Sequence, residues 1–167
     1  MRSKPNNPAR FLHQASAGFS LIELLIVVAI ILIIAAIAIP NFIRAKISAN
    51  EAATVSNMRY ICTAEVTYTT TYAIGFSATL LNLGGTGLPS STSAGLIDDI
   101  LANGNRSGYQ YTYVPTFPDP NGQFQSFTIN TQPQSPGSTG QRYFYTDQTN
   151  VIRQSITTVA TSADSPI

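Results

Sequence analysis

From Leu24 to Ile39 the chain consists only of Leu, Ile, Val and Ala, and from Phe19 to Ile43 its single formal charge is Glu23. At a rise of about 1.5 Å per residue, roughly 20 such residues cross a hydrocarbon core of about 30 Å. The segment therefore predicts one transmembrane helix, and the rest of the chain must be arranged around it. Arg2, Lys4 and Arg10 precede it with no acid among them. The positive-inside rule then keeps the N-terminus in the cytoplasm and sends the C-terminal part outward. Arg44 and Lys46 on the far side weaken that bias without cancelling it.

Glu23 separates this segment from an ordinary anchor. A carboxylate within a membrane costs on the order of 3 kcal/mol by insertion scales and marks a functional site whose partner has to be named. No Lys, Arg or His lies within the span to pair with it. The nearest candidate cation is the amine that Phe19 would carry if the chain were cut after Gly18. That amine could reach Glu23 of its own chain or of a neighbour, and a neighbour would make the pair an assembly device. A conventional signal peptide is cut after its apolar core, at a small-residue site. Here the Gly-Phe junction precedes the core, and Ala35-Ala36-Ile37-Ala38 is the only imitation of a late site. Neither a signal peptide nor a plain anchor accounts for the run Gly18 to Glu23.

The run Gly18-Phe19-Ser20-Leu21-Ile22-Glu23-Leu24-Leu25-Ile26-Val27-Val28-Ala29-Ile30 closely resembles the signature of type IV prepilins and of the pseudopilins of type II secretion. The resemblance implies a type IV pilin-like α+β fold, with a long N-terminal helix packed on a C-terminal antiparallel sheet of three to four strands. It implies cleavage between Gly18 and Phe19 by a membrane-embedded prepilin peptidase, followed by N-methylation of Phe19. It further implies storage as a single-pass protein of the bacterial inner membrane. An inner-membrane assembly platform would then extract the subunit into a helical filament of identical or related subunits, either an extracellular pilus or a periplasmic pseudopilus. In such a filament Glu23 neutralises the amino terminus, Phe19, of an adjacent subunit. Pro40 matches the proline at which the family's helix kinks or partly melts on assembly.

Composition agrees with a small anchored subunit. Without a leader at 1–18, about 150 residues remain, enough for a long helix and one modest globular head. The leader takes three basic residues and no acid with it, so formal charge moves from +1 to about −2. The six basic residues left are spread along the chain rather than clustered, which argues against a nucleic-acid binder. Cys62 stands alone, so no intrachain disulfide staples the head, unlike pilins that close a C-terminal loop with one. Its neighbours Met58, Ile61 and Val66 place it in a core.

The chain offers few residues for chemistry. The sole histidine, His13, lies in the leader, which leaves no zinc site of the usual ligand types. Asp98-Asp99, Asp119 and Asp147 offer oxygens, but none sits in a spaced acidic loop such as an EF-hand. Gly84-Gly85-Thr86-Gly87 lacks the Lys-Ser/Thr of a phosphate loop, and Asn105-Arg106-Ser107 is a glycosylation sequon. No nucleophile and base can be paired, so the chain is read as non-enzymatic and without a cofactor.

Beyond the membrane segment, 19–43, the helix is expected to continue over 44–72 with Pro40 near its middle. Ile43, Ile47, Val55, Met58, Ile61 or Cys62, and Tyr68 recur at three-to-four residue steps, with Arg44, Lys46, Glu51, Arg59 and Glu65 on other faces. The Thr-rich stretch from Thr67 to Thr71 predicts an end near Tyr72. A variable connection follows over 73–108, irregular at its Gly, Pro and Ser residues, with a short helix from Leu96 to Leu101 stopped by Asn103-Gly104. Over 109–157 the alternation of Tyr109, Tyr111 and Tyr113, then of Phe127 and Ile129, predicts strands joined by the turn Pro118-Asp119-Pro120-Asn121-Gly122. Tyr143-Phe144-Tyr145 and Val151-Ile152-Arg153 complete a meander, and 158–167 reads as a flexible tail. The strand tyrosines could suggest a conductive filament, but alternation and cross-strand packing account for them. The expected function is a structural subunit of a type IV pilus-like filament. The alternatives are a secretion pseudopilin or, from another class, a minor-pilin head that binds DNA or a surface ligand.

Overall fold

The computed structural model describes residues 18–167. Arg2, Lys4, Arg10 and His13, with the rest of the expected leader up to residue 17, lie outside the described residues. The chain divides between Ile39 and Pro40 into two units. The first contributes the apolar start of helix α1 (Leu21–Tyr72), and Pro40 lies inside that helix. Proline has no N–H to donate and its ring crowds the preceding turn, yet α1 runs through it without a break.

In the second unit, α1 presents a buried seam of Ile47, Glu51, Thr54, Met58, Ile61, Glu65 and Tyr68. These positions alternate steps of four and three residues, the spacing that keeps one stripe of a helix facing a partner. The apolar pattern in the sequence places Glu51 and Glu65 off the stripe, and the structure corrects this. Glu51 is 5% exposed and Glu65 is 0% exposed. Both are buried because the fold delivers hydrogen-bond donors to them, which no count of apolar residues reveals.

The helix ends at Tyr72, where the Thr stretch predicts it. Hydroxyls of Thr63, Thr67 and Thr70 bond back to the carbonyls of Arg59, Thr63 and Val66, a competition that weakens helix propagation. Ala73 then enters the left-handed region at φ 53°. Two short helices follow in the connection, α2 (Leu80–Leu83) and α3 (Asp99–Ala102). The Asp98 carboxylate accepts from the N–H of Leu101 and caps α3, so the expected helix from Leu96 begins three residues later. The pattern gives no sign of α2, whose four residues are too few for a helical period to show.

The described residues form a six-stranded antiparallel meander in chain order: β1 (Asn105–Arg106), β2 (Tyr109–Pro118), β3 (Phe124–Pro133), β4 (Tyr143–Asp147), β5 (Arg153–Ser155) and β6 (Ser165–Pro166). The three to four strands expected correspond to β2 to β5. The two additional strands are edge pieces of two residues each, shorter than any alternation a sequence can display. Ser107 and Gly108, at φ 53° and 74°, turn the chain from β1 into β2 in the conformation two-residue hairpins need. Asp119 closes the predicted turn between β2 and β3, accepting from the N–H groups of Asn121 and Gln123 at 2.8 Å each. The last ten residues differ from a free tail: β6 pairs with β5, the Ile167 N–H donates to the Ile152 carbonyl, and Ala160 is buried.

Met58, Ile61, Cys62, Tyr109, Phe127, Ile129 and Phe144 lie at the centre of the core between the α1 seam and the sheet. The alternating tyrosines of β2 also fasten the layers with their hydroxyls. Tyr109 donates to the Arg142 carbonyl, Tyr111 accepts from Asn57 of α1, and Tyr113 donates to the Ser77 carbonyl. A buried tyrosine needs such a partner for its polar end.

Candidate functional site

Most of the apolar start of α1 is exposed. Its large hydrophobic residues, from Leu21, Ile22, Leu24 and Leu25 to Ile43, are exposed, although such residues are normally found in a core. Among the described residues α1 is the one helix long and apolar enough to cross a membrane. So large an exposed apolar surface requires lipid or other helices to cover it.

Glu23 lies in the first turn. Its Oε2 accepts from the backbone N–H of Ser20 at 2.8 Å, and the Ser20 carbonyl accepts from the N–H of Leu24 at 3.2 Å. This is half of a capping box: the carboxylate three residues into the helix returns to the N–H of the cap residue. It also places negative charge at the positive end of the helix dipole. Glu23 thus has a local partner in the Ser20 N–H, which Ser20-x-x-Glu23 spells in the sequence. Only one oxygen is used by Ser20, and a carboxylate can accept at both.

Gly18 and Phe19 precede the helix and are exposed. A Cβ at Gly18 would meet nothing within 4 Å. Gly75 contrasts with it, since there a Cβ would come within 2.4 Å of the Phe124 carbonyl oxygen at φ +79°. The described structure demands glycine at 75 and makes no such demand at 18.

The head holds two further carboxylate sites. Glu51 Oε1 accepts from the N–H groups of Gln141 and Arg142 at 2.8 and 3.1 Å, and Oε2 accepts from Arg142 Nε at 2.7 Å. Burial pushes its pKa upward, but these donors and the guanidinium charge outweigh burial and hold it below the ordinary 4.5. The Arg142 guanidinium also lies 5.6 Å from the Phe144 ring centre. Glu65 accepts from the N–H of Ser77 at 3.0 Å and lies 2.5 Å from its hydroxyl. Here burial wins over the hydrogen bonds, and the pKa is raised.

The remaining sequence candidates are tied to local structure. Asp98 pairs with Arg106, Asp99 accepts from the Gly85 N–H, and Asp147 accepts from the N–H and hydroxyl of Thr149. Cys62 is free and borders a cleft of about 430 Å³ with Arg59, Thr63, Val66 and Asn150. Burial pushes its thiol up to about 11, leaving little of the thiolate that nucleophilic chemistry requires. No group of three or more His, Cys, Asp or Glu side chains among the described residues could hold a metal ion.

Comparison with known proteins bears on the N-terminal part. Residues 13–39 match the family model of the prokaryotic N-terminal methylation motif. Over 51 residues the chain is 49% identical to the type IV major pilin protein PilA of Myxococcus xanthus strain DK1622, covering 30% of this chain. The matched stretch spans 23% of the length of that relative. No solved structure matches the chain.

Proposed function

We propose that this chain, prepilin-type at its N-terminus and type IV pilin-like in its α+β fold, is a structural subunit of an extracellular type IV pilus. The observation that carries the proposal is the methylation motif coinciding with an exposed apolar helix start whose only charge is Glu23. A prepilin peptidase would cut after Gly18, where the described fold places no demand for glycine and the need falls on whatever recognises the junction. The new amine of Phe19 would be methylated. It would then meet Glu23 of a neighbouring subunit, at the carboxylate oxygen that Ser20 leaves open.

The membrane holds the subunit before assembly, because the helix start satisfies its backbone groups internally and, Glu23 apart, exposes almost only hydrocarbon. An inner-membrane platform would transfer it into the filament, where the same segments of other subunits replace lipid. Pro40 would serve as the point where the helix yields, since the turn around it lacks one donor. The similarity to a protein named as a major pilin favours a pilus over the pseudopilus of type II secretion. Catalysis has no part in this role.

Mass spectrometry of the protein from its own cells tests the processing. The expected N-terminus is Phe19 carrying one added methyl group, and a mature chain beginning at Met1 or after Ala38 refutes it. Shearing the cells then separates the two filament types: a pilus subunit is released with surface fibres, and a pseudopilus subunit stays with the cell.

A further inference from the structure

Phe117 stands in the head against both its backbone and its solvent. Near the end of β2 it adopts φ 51°, a region that bulky side chains avoid and that Gly or Asn enter at much lower cost. The residue is 76% exposed, and among the described residues its ring meets no other aromatic ring. Strain of this kind persists only where the surroundings impose it, and it gathers at sites that act on something else. Here they do impose it. Thr116 pairs with Ser126 and Pro118 with Phe124, and the Asp119 N–H donates to the Gln123 carbonyl. Phe117 is clamped between paired residues, so its ring is an apolar knob on a fixed base.

The same head carries a hole. Arg59, Cys62, Thr63 and Val66 share one stripe of α1, and with Asn150 from the turn between β4 and β5 they line the cleft of about 430 Å³. Val66 is 50% exposed there, and among the described residues no carboxylate forms an ion pair with Arg59. A guanidinium within about 6 Å of an aromatic centre is attracted to the face of the ring, and the apolar neighbours lose water when a ring enters. The head already holds one such pair, Arg142 and Phe144. Leu88 and Ile156 are also exposed but offer a cation no π face. Phe117 does not line the cleft of its own copy, and β3 stands between β2 and β4 in the sheet.

We propose that Phe117 of one copy seats in the α1 cleft of the next copy, with its ring against Arg59 and Val66. The contact rests on the reading of the chain as a filament subunit and names one way in which successive heads engage. A knob and a hole at different places on one molecule make a heterologous interface. Each copy offers its cleft to one neighbour and its ring to another, so copies add without closing into a pair. A filament requires a contact of this kind, and a twofold dimer does not supply it. Aromatic residues and Arg are also the types enriched at protein interfaces.

The test uses the full chain in its own cells, with fibres collected by shearing. F117N removes the ring and supplies a residue that tolerates positive φ. It should yield about tenfold less fibre, as loss of an interface anchor does. In detergent micelles the same variant should unfold at the native temperature or above it, whereas a merely structural role for the ring would lower that temperature. R59A should reduce the yield similarly, and combining it with F117N should reduce it no further, because the two residues serve one contact. Fibres of the double variant F117C/V66C, treated with a short thiol-to-thiol crosslinker, should give a ladder of covalent oligomers beyond the dimer, which neither single variant gives. If that double variant forms no fibres, the yields of F117N and R59A decide. Native yields from both of these overturn the proposal, as do double-variant fibres that remain monomeric, and in either case the pilus reading stands. A native chain that sheds no fibres refutes the pilus reading and this contact with it.

Discussion

Glu51 offers the most direct measure of how the head is fastened to its helix. Replacing it with Ala removes the acceptor of two main-chain N–H groups, those of Gln141 and Arg142, at a side chain that is 7% exposed. A hydrogen bond to a charged group contributes about 1.5 kcal/mol at the low end, and a buried donor left unsatisfied costs a comparable amount. The two N–H groups together therefore account for about 3 kcal/mol. The Arg142 side chain is 38% exposed, so water screens its ion pair and about 0.5 kcal/mol is a fair addition. Glu51→Ala should lower the thermal midpoint of the head by about 10 °C. Glu51→Gln keeps an acceptor oxygen for the N–H groups and loses only the charge, so it should cost about 1 kcal/mol. Because Glu51 is held below the ordinary 4.5, its contribution is present above that value and is lost as pH falls through the lowered one. Thermal unfolding at neutral pH measures the shift in midpoint, and unfolding by urea at neutral pH and again at about pH 3.5 measures the free energies. The two variants should be closer to the native chain in acid than at neutral pH. Equal losses for Ala and Gln, or a loss below about 0.5 kcal/mol for Ala, would show that the N–H groups do not depend on this carboxylate.

Glu23→Ala should leave membrane insertion unharmed or improved, because the costly carboxylate is gone. As the only subunit it should accumulate in the membrane without forming filaments; normal filaments would refute the pairing with Phe19, and fibre yield by shearing decides between them. A head beginning at Arg44 keeps the seam from Ile47 to Tyr68 and should be a soluble, monomeric domain by gel filtration without detergent. It should unfold at the same midpoint with or without a reductant, since Cys62 is free. Gly75→Ala should destabilise the head by about 2 kcal/mol in urea, because it combines a left-handed backbone with overpacking. Its Cβ would press on the Phe124 carbonyl oxygen, which accepts from the Phe76 N–H in an isolated bridge to β3. Gly18→Ala, by contrast, should leave unfolding unchanged.

The features that sequence alone determined are those whose cause lies within a few residues. Sixteen consecutive aliphatic residues from Leu24 to Ile39 specify a helix that water does not solvate, whatever follows them. The Thr-rich stretch before Tyr72, the turn at Asp119 and the alternation of Tyr109, Tyr111 and Tyr113 likewise act through neighbouring backbone. Even the overlooked cap of Glu23 on Ser20 is local, spanning three positions, and was legible as a capping box. Glu51 and Glu65 belong to the other kind. Glu51 is satisfied by residues 90 and 91 positions away, and Glu65 by a loop residue beyond the end of its own helix. A carboxylate is placed inside or outside by the donors that reach it. Those donors exist only once the sheet has closed on the helix, so the buried face of α1 was decided by tertiary structure. The edge strands β1 and β6 follow the same rule: two residues carry no period, and they are strands only because a longer neighbour offers its free N–H and C=O groups.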